Sequence, residues 1–483
     1  MRSCGNEVRR SKVTPVDHCP VSFLPSLSWT AALAILLACV APGADTLRAD
    51  ENPPKAAEKK GEEATAESER DQYFEMMRVF VETFEQIDKN YVKEIDRKAL
   101  IEAAVRGMLT KLDPYSDYIS SEDREKFAEA VEQEFGGVGI QVNFDRAKHE
   151  IEVISPLPGT PAYNAGIVAG DRIVEIDGKK IREFDDNQEV NLAVKMLRGQ
   201  EGTKVTVGVR RGASENVDQI TMTRQIIQLD TVLGDSRNAD KTWKFMLDDE
   251  KKIGYLRLTH FTRRSGAEIK SALRKLKEQN MQALVLDLRF NPGGYLDAAI
   301  DVADLFIEEG KIVSTSGRNT KEHVWNAKKS GTFSGFPMAV LVNHFSASAS
   351  EIVSACLQDH QRAIVVGERS WGKGSVQTVS ELEEGKAALK LTTASYHRPS
   401  GKNIHRFPDS KDTDEWGVSP DAGFDLKLSF DDTVKLHRSR QQRDALVPQD
   451  PPLAPFEDLQ LKKAMDYVKE KLAAPAKPAD KAA

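Results

Sequence analysis

GERSWGKGSVQ, running from Gly367 to Gln377, sets a glycine, four residues and then Gly372-Lys373, and so nearly spells the phosphate-binding loop G-x-x-x-x-G-K-[ST]. If Lys373 cradles a nucleotide phosphate, the chain carries a P-loop α/β domain. That loop needs a hydroxyl directly after its lysine to hold Mg²⁺, and a helix whose N-terminus faces the phosphates. Here Gly374 follows the lysine, and Ser375-Val376-Gln377-Thr378-Val379 reads as strand rather than helix. The nucleotide reading is therefore the lesser alternative, and Lys373 needs a different partner elsewhere in the chain.

The 483 residues suffice for about two or three domains, each with its own core. Charged residues make up 30%, both signs are mixed throughout, and the formal net charge is -7. Such a chain has no basic face of the kind nucleic acid requires, which excludes that class of partner. Arg2, Arg9, Arg10 and Lys12 precede the apolar run Ala31–Ala41, which is followed by Pro42-Gly43-Ala44. A basic head, a short apolar core and small residues after it form a secretory-signal pattern, and the run falls short of the roughly 20 residues that span a bilayer. Residues 1–44 are thus expected to be a signal peptide or membrane anchor, and the protein to be exported to the periplasm or cell envelope. Leu36-Leu37-Ala38-Cys39 adds a loose likeness to a lipoprotein cleavage box. Cys4, Cys19 and Cys39 lie in or before this segment, so its removal leaves only Cys356, and no disulfide framework or cysteine-based metal site can form.

Residues 45–70 are rich in Lys, Glu and Ala and read as a solvated linker. From Asp71 the spacing of Phe74, Met77, Val81 and Phe84 predicts an amphipathic helix. Arg97–Leu112 and Ser121–Gln133 add helices on either side of the turn Asp113-Pro114, making 71–135 a helical region. Residues 136–226 read as a compact unit of short strands (Ile140–Phe144, Glu150–Ile154, Arg172–Ile176, Lys204–Arg210) with one helix marked by Val190, Ala193, Val194 and Leu197. Residues 227–430 alternate strand and helix, with strands at Ile253–Leu258, Ala283–Leu288, Met338–Val342 and Ala363–Val366. Their helices are expected at Gly266–Gln279, Leu296–Ile307 and Ser350–His360, the signature of an α/β layered core. Residues 431–483 form a tail with one helix around Leu459–Leu472.

The search for chemistry begins with absences. The chain contains no H-E-x-x-H, no paired C-x-x-C and no G-x-S-x-G, and its histidines are scattered. Phe345-Ser346-Ala347-Ser348-Ala349-Ser350-Glu351 lies between a buried strand and a helix, where small residues can expose a hydroxyl beside free backbone N–H groups. Taken alone, it is better explained as a helix cap, with Ser350 as the cap residue. Asn291-Pro292-Gly293-Gly294 lies at a second such junction, where Gly294 can aim its N–H at a carbonyl; alone it is a tight turn. A serine nucleophile needs a base, and Lys373 can serve only if burial lowers its pKa by several units. Trp371 and Val376 offer apolar surroundings, and Gln377 is spaced to orient the amine.

Together these segments resemble the C-terminal processing (tail-specific) proteases of peptidase family S41, serine endopeptidases with a Ser–Lys dyad. The matching text is FGGVGIQV, GDRIVEIDGK, LDLRFNPGG, SASASEIVSACLQD, VGERSWGKGSVQ and LTTASYHRPSG, with GMLTKLDPYSDYIS in the helical region, in the family's order over residues 71–425. The resemblance implies Ser348 as nucleophile, Lys373 as base and Gln377 as its assistant. It also implies an oxyanion hole from the backbone N–H groups of Gly294 and Ala349. The implied architecture is multidomain α+β: a crotonase/ClpP-like α/β protease core, an inserted PDZ domain and a helical N-terminal region. In the PDZ unit, Gly137, Val138, Gly139 and Ile140 fit the loop that takes a peptide's terminal carboxylate, with helix Asn187–Leu197 walling an apolar pocket. His405–Glu415 departs from the family pattern and is polar. The expected function is cleavage of protein substrates with unstructured apolar C-termini, using no metal or other cofactor. A non-catalytic scaffold that only binds tails is the alternative.

Overall fold

The computed structural model describes residues 56–145, 148–184, 189–212, 214–407, 409–444 and 456–474. The basic and apolar N-terminal segment, with its expected signal, lies outside them.

The α/β core follows from uninterrupted apolar runs. Ile253–Leu258, Ala283–Asp287 and Met338–Val342 are buried at every residue, as strands covered on both faces must be. With Ile364–Gly367 they form a parallel sheet in that spatial order, edged by antiparallel Val232–Leu233. Alternation then sorts the side chains. Leu256, Leu258, Leu284 and Leu286 pack with Leu273, Val302 and Val353 of the helices Ser265–Glu278, Leu296–Asp304 and Ala349–Asp359. Tyr255, Val285 and Leu341 face the other way and meet Ala464 and Val468 of the helix Leu459–Ala473. That helix completes the core instead of trailing from it.

A second, antiparallel sheet joins Lys311–Gly317, Thr320–Asn326, Ser375–Leu382 and Ala387–His397. Its surprise is the short strand Asp117–Ile119 from the N-terminal region, which pairs with Ala387–His397 through Asp117 and Lys390. Three residues are too few to show a period in sequence.

The middle unit is an antiparallel sheet of Ile140–Asp145, Glu150–Pro156, Arg172–Ile176, Lys204–Arg210 and Val217–Thr223, in that spatial order. Its own core includes Ile151, Val153, Ile173, Val207 and, from the helix Glu189–Leu197, Ala193 and Leu197. The chain enters through Glu134–Gly137 and leaves through Gln225–Gln228, paired antiparallel, so the unit is an insertion on a two-stranded stem.

Three expectations need correction. The segment read as linker is helical from Ala56, as the first part of Ala56–Asn90. Ala, Glu and Lys favour helix intrinsically, and a lack of apolar residues removes packing without removing helicity. The stripe further along that helix forms, but Phe74, Met77 and Val81 stay exposed at 61%, 41% and 51%; they meet no cover among the described residues. The tail holds two helices, since Phe430–Asp444 precedes Leu459–Ala473. The first is too polar to show a stripe and buries only Leu436 and Arg440. Arg440 pairs with the fully buried Asp287, which also binds Arg289 at 2.7 Å and accepts from the Tyr255 hydroxyl at 2.8 Å. Arg289 in turn reaches Asp458 at 2.7 Å, so both tail helices are tied to the end of the central strand.

Candidate active site

The serine cluster occupies the turn between Met338–Val342 and Ala349–Asp359, and the structure separates its three hydroxyls by what each does. Ser346 Oγ accepts from Asn343 N at 2.9 Å and donates to the Leu288 carbonyl at 2.9 Å. Ser350 Oγ donates to the Asn291 carbonyl at 3.0 Å, so it links two turns and is not the helix cap. Ser348 stands at the cap position in a capping-box arrangement with Glu351, yet its buried Oγ makes no hydrogen bond of normal geometry among the described residues. Its backbone is at φ 55, ψ -107, a strained conformation for a residue with a Cβ. The nucleophile elbow of α/β-hydrolases uses the same sharp strand-to-helix turn, reached here without flanking glycines.

The Asn291–Gly294 turn lies directly against this serine. Gly293 (φ +104) has no room for a side chain: a Cβ there would sit 2.8 Å from the Ala347 carbonyl oxygen and 3.1 Å from Ser348 Cβ. The Asn291 side chain accepts from Gly293 N at 2.8 Å, which fixes the turn. A Cβ on Gly294 would fall 2.0 Å from the Phe261 carbonyl oxygen. Neither Gly294 N–H nor Ala349 N–H has a partner among the described residues. Gly293→Ala is expected to lower kcat about 100-fold by displacing the turn, with tail binding unchanged; steady-state kinetics beside a binding titration checks it.

Lys373 is 3% exposed and makes no hydrogen bond or ion pair among the described residues. Its amine lies 4.6 Å from the centroid of the Tyr115 ring. Burial, helped by the charge of Lys390 and opposed by Glu351 and Asp113, brings its pKa down from 10.5 to about 7. Tyr115, from the distant Asp113–Ser116 turn, adds cover beyond the Trp371 and Val376 expected from sequence, and Trp371 donates its indole N–H to the Tyr115 hydroxyl at 3.4 Å. Gln377 lies on Ser375–Leu382, where a register shift between Val376 and Gln377 interrupts the ladder, and Ser375, Val376 and Gln377 are all buried. Its amide nitrogen donates to Ser375 Oγ at 2.9 Å and Thr392 Oγ1 at 3.2 Å, while its Oε1 has no partner among the described residues. The expected bond from the lysine amine to Gln377 is therefore not formed, and no hydrogen bond joins Ser348 Oγ to Lys373 Nζ.

Sequence reasoning missed Glu351. Its carboxylate is fully buried and accepts from Ser348 N at 2.7 Å, Gly372 N at 2.6 Å, Lys373 N at 2.8 Å and the Ser370 hydroxyl. One side chain thereby holds both the serine turn and the lysine loop. Burial raises its pKa, with the four donors working against that rise. The available signal was Ser348-x-x-Glu351, the spacing of a capping box.

The carboxylate-loop residues Gly137, Val138, Gly139 and Ile140 line one cavity of about 200 Å³ with Val194 and Leu197. Asn187 and Gln188, the expected start of its walling helix, lie outside the described residues. Gly139 (φ +75) is required, because a Cβ would come within 2.4 Å of Thr160. Ile140–Asp145 ends the sheet, leaving an edge to which an extended peptide can add.

Comparison with known proteins places these features in sequence space. The model of peptidase family S41 matches residues 252–422, a PDZ-domain model matches 152–211, and the model of the activating protease CtpB N-terminal domain matches 43–123. The chain is 37% identical over 438 residues to a carboxy-terminal-processing protease of Bartonella bacilliformis, covering 86% of this chain and 93% of that protein. It is 33% identical over 362 residues to the carboxy-terminal processing protease CtpA of Bacillus subtilis, covering 74% and 71% respectively. Among solved structures, the photosystem II D1 C-terminal processing protease aligns over 76% of this chain and 97% of that one, with 27% identity and a TM-score of 0.40.

Proposed function

Because the chain belongs to peptidase family S41, the carboxy-terminal-processing serine proteases, we propose that it cleaves protein substrates through a Ser348–Lys373 dyad after capturing their C-terminal tails. Lys373 Nζ, neutral, takes the Ser348 hydroxyl proton as Oγ attacks the scissile carbonyl carbon. The developing oxyanion meets the free N–H groups of Gly294 and Ala349 at a helix N-terminus. The lysine ammonium then protonates the departing amine nitrogen, which leaves an ester on Oγ. Water gives its proton to the same amine as it attacks that ester, and the ammonium returns the proton to Ser348 Oγ as the C–Oγ bond breaks and the acid leaves.

One observation carries this reading: a strained serine hydroxyl and a lysine amine, neither with a hydrogen-bond partner among the described residues, are buried beside each other's loops, both anchored by one carboxylate. An ammonium would be expensive there, whereas a neutral amine is a usable base near neutral pH. Ser348 Oγ is closed to solvent, so a substrate carbonyl reaches it only once the surrounding loops move and Oγ and Nζ come within bonding distance.

The PDZ unit supports the substrate class. Its cavity is lined by aliphatic side chains together with Phe135 and Arg198, beside a glycine loop and a free strand edge, which suits an apolar terminal side chain and its carboxylate. The basic head and apolar run at the N-terminus support export to the cell envelope. The test is cleavage of a disordered polypeptide ending in apolar residues, against the same polypeptide extended by two aspartates. Losing one buried apolar side chain costs about 1.5–3 kcal/mol, so KM is expected to rise tenfold or more with kcat little changed. Equal cleavage of both would sink tail selection, and binding without turnover would make the protein a scaffold.

A further inference from the structure

The dyad and its glutamine leave unexplained why an N-terminal turn, far away in sequence, reaches the base. Asp113 organises that turn: one carboxylate oxygen accepts from Tyr115 N at 2.7 Å and Ser116 N at 2.8 Å, and the other from Ser116 Oγ at 2.7 Å. The strand that follows, Asp117–Ile119, pairs with Ala387–His397 and carries the turn to Thr392, whose N–H donates to Ser116 Oγ at 3.0 Å. Thr392 is also the partner of Gln377 across the ladder and accepts from its amide. From the same turn the Tyr115 ring covers the Lys373 amine, and the Tyr115 hydroxyl accepts from Trp371 of the lysine loop.

We infer that the turn Asp113–Ser116 is a positioning part of the active site: the Tyr115 ring keeps water from the Lys373 amine, while Ser116 and Thr392 hold Gln377 in place. This rests on the dyad reading above. The ring has two opposed effects on the amine. Its face attracts an ammonium, which alone favours the charged form. It also displaces the water that would solvate an ammonium far better, and burial is the largest influence on this group. Exclusion of water wins, so the ring favours the neutral amine. The other charges around Lys373 belong to other residues: Glu351 on Ala349–Asp359, Lys390 on Ala387–His397, Asp113 in the same turn as Tyr115, and His405 on the loop beyond Asn403. All remain when Tyr115 is changed.

A consequence is that base strength depends on docking of the N-terminal region. Without Asp117–Ile119 on the sheet edge, Tyr115 leaves the amine and Gln377 loses its support.

The experiment measures kcat/KM from pH 5.5 to 10 on the full chain, with a disordered apolar-tailed polypeptide as substrate and tail-peptide binding as the check on folding. Wild type is expected to gain activity through about pH 7. Tyr115→Ala admits water, and its midpoint is expected to rise by about one to two units. At pH 7 it then loses about 5- to 50-fold, and most of that returns by pH 9.5. Tyr115→Gln, which fills the space with a polar group, is expected to move the same way and serves if the alanine variant does not bind tails. Tyr115→Phe keeps the ring and is expected to keep the wild-type midpoint. An unmoved midpoint in both ring-deleting variants, or a shift in Tyr115→Phe as large as theirs, overturns the inference. Activity in Lys373→Ala would instead remove the dyad reading beneath it.

Discussion

Lys373→Met is expected to abolish turnover and to make the protein more stable. Without a base, Ser348 Oγ stays protonated, and kcat/KM is expected to fall about 10⁴-fold or more. Ser348→Ala should cost as much, and the double variant no more than either alone, because the two groups act as a unit. The stability gain follows from proton linkage. The unfolded chain holds the lysine proton up to about pH 10.5, whereas the folded protein releases it through about pH 7. A lysine whose folded pKa is depressed costs stability below 10.5, and that cost is complete below 7. A methionine of similar shape removes it, for a gain of about 2–4 kcal/mol at pH 7. Chemical denaturation of both proteins checks this, and their difference should shrink as the pH rises toward 10.5. A variant that is less stable than wild type at pH 7 would mean that the amine is charged in the folded state, and one that still turns over would remove Lys373 as the base.

The sequence was most legible where burial is continuous. Ile253–Leu258, Met338–Val342, Arg172–Ile176 and Lys204–Arg210 have the bounds expected of them, because apolar or alternating runs between turn residues leave one pairing face. Phe430–Asp444 was invisible for the converse reason: it is anchored by Arg440 on Asp287, an ion pair between residues far apart in sequence. Within the site, composition could not single out Ser348 from its neighbours; only the family resemblance did. The structure supplies the physical distinction, since Ser346 and Ser350 spend their hydroxyls on Leu288 and Asn291 carbonyls and Ser348 does not. Tyr115 and Glu351 were passed over because each acts on loops that approach only in the folded chain. No local period or motif spacing encodes a tyrosine over a lysine on another element.

Glu351→Gln should separate catalysis from folding. Each oxygen of the carboxylate takes two donors: Oε1 from Gly372 N and the Ser370 hydroxyl, Oε2 from Ser348 N and Lys373 N. A glutamine of the same length offers one acceptor oxygen and sets an NH₂ against the remaining donors. Facing its oxygen toward Ser348 and Lys373 orphans Gly372 N–H, and the opposite orientation orphans both loops. A buried unpaired donor costs about 1–3 kcal/mol, but the substitution also removes a buried charge whose pKa is raised chiefly by burial. The two contributions offset, so stability is expected to change by less than about 2 kcal/mol. Catalysis has no such compensation. Serine and lysine loops that shift even slightly leave Oγ and Nζ out of line, and kcat is expected to fall about 10³-fold with tail affinity unchanged. A helix cap alone predicts the reverse, a loss of about 0.5–2 kcal/mol of stability and full kcat. Protonation of Glu351 in acid should imitate the substitution. Wild-type activity would then fall with one proton below about pH 7 and with a second where Glu351 titrates, above its ordinary value of 4.5. The acid limb therefore steepens toward a slope of two in wild type and keeps a slope of one in Glu351→Gln.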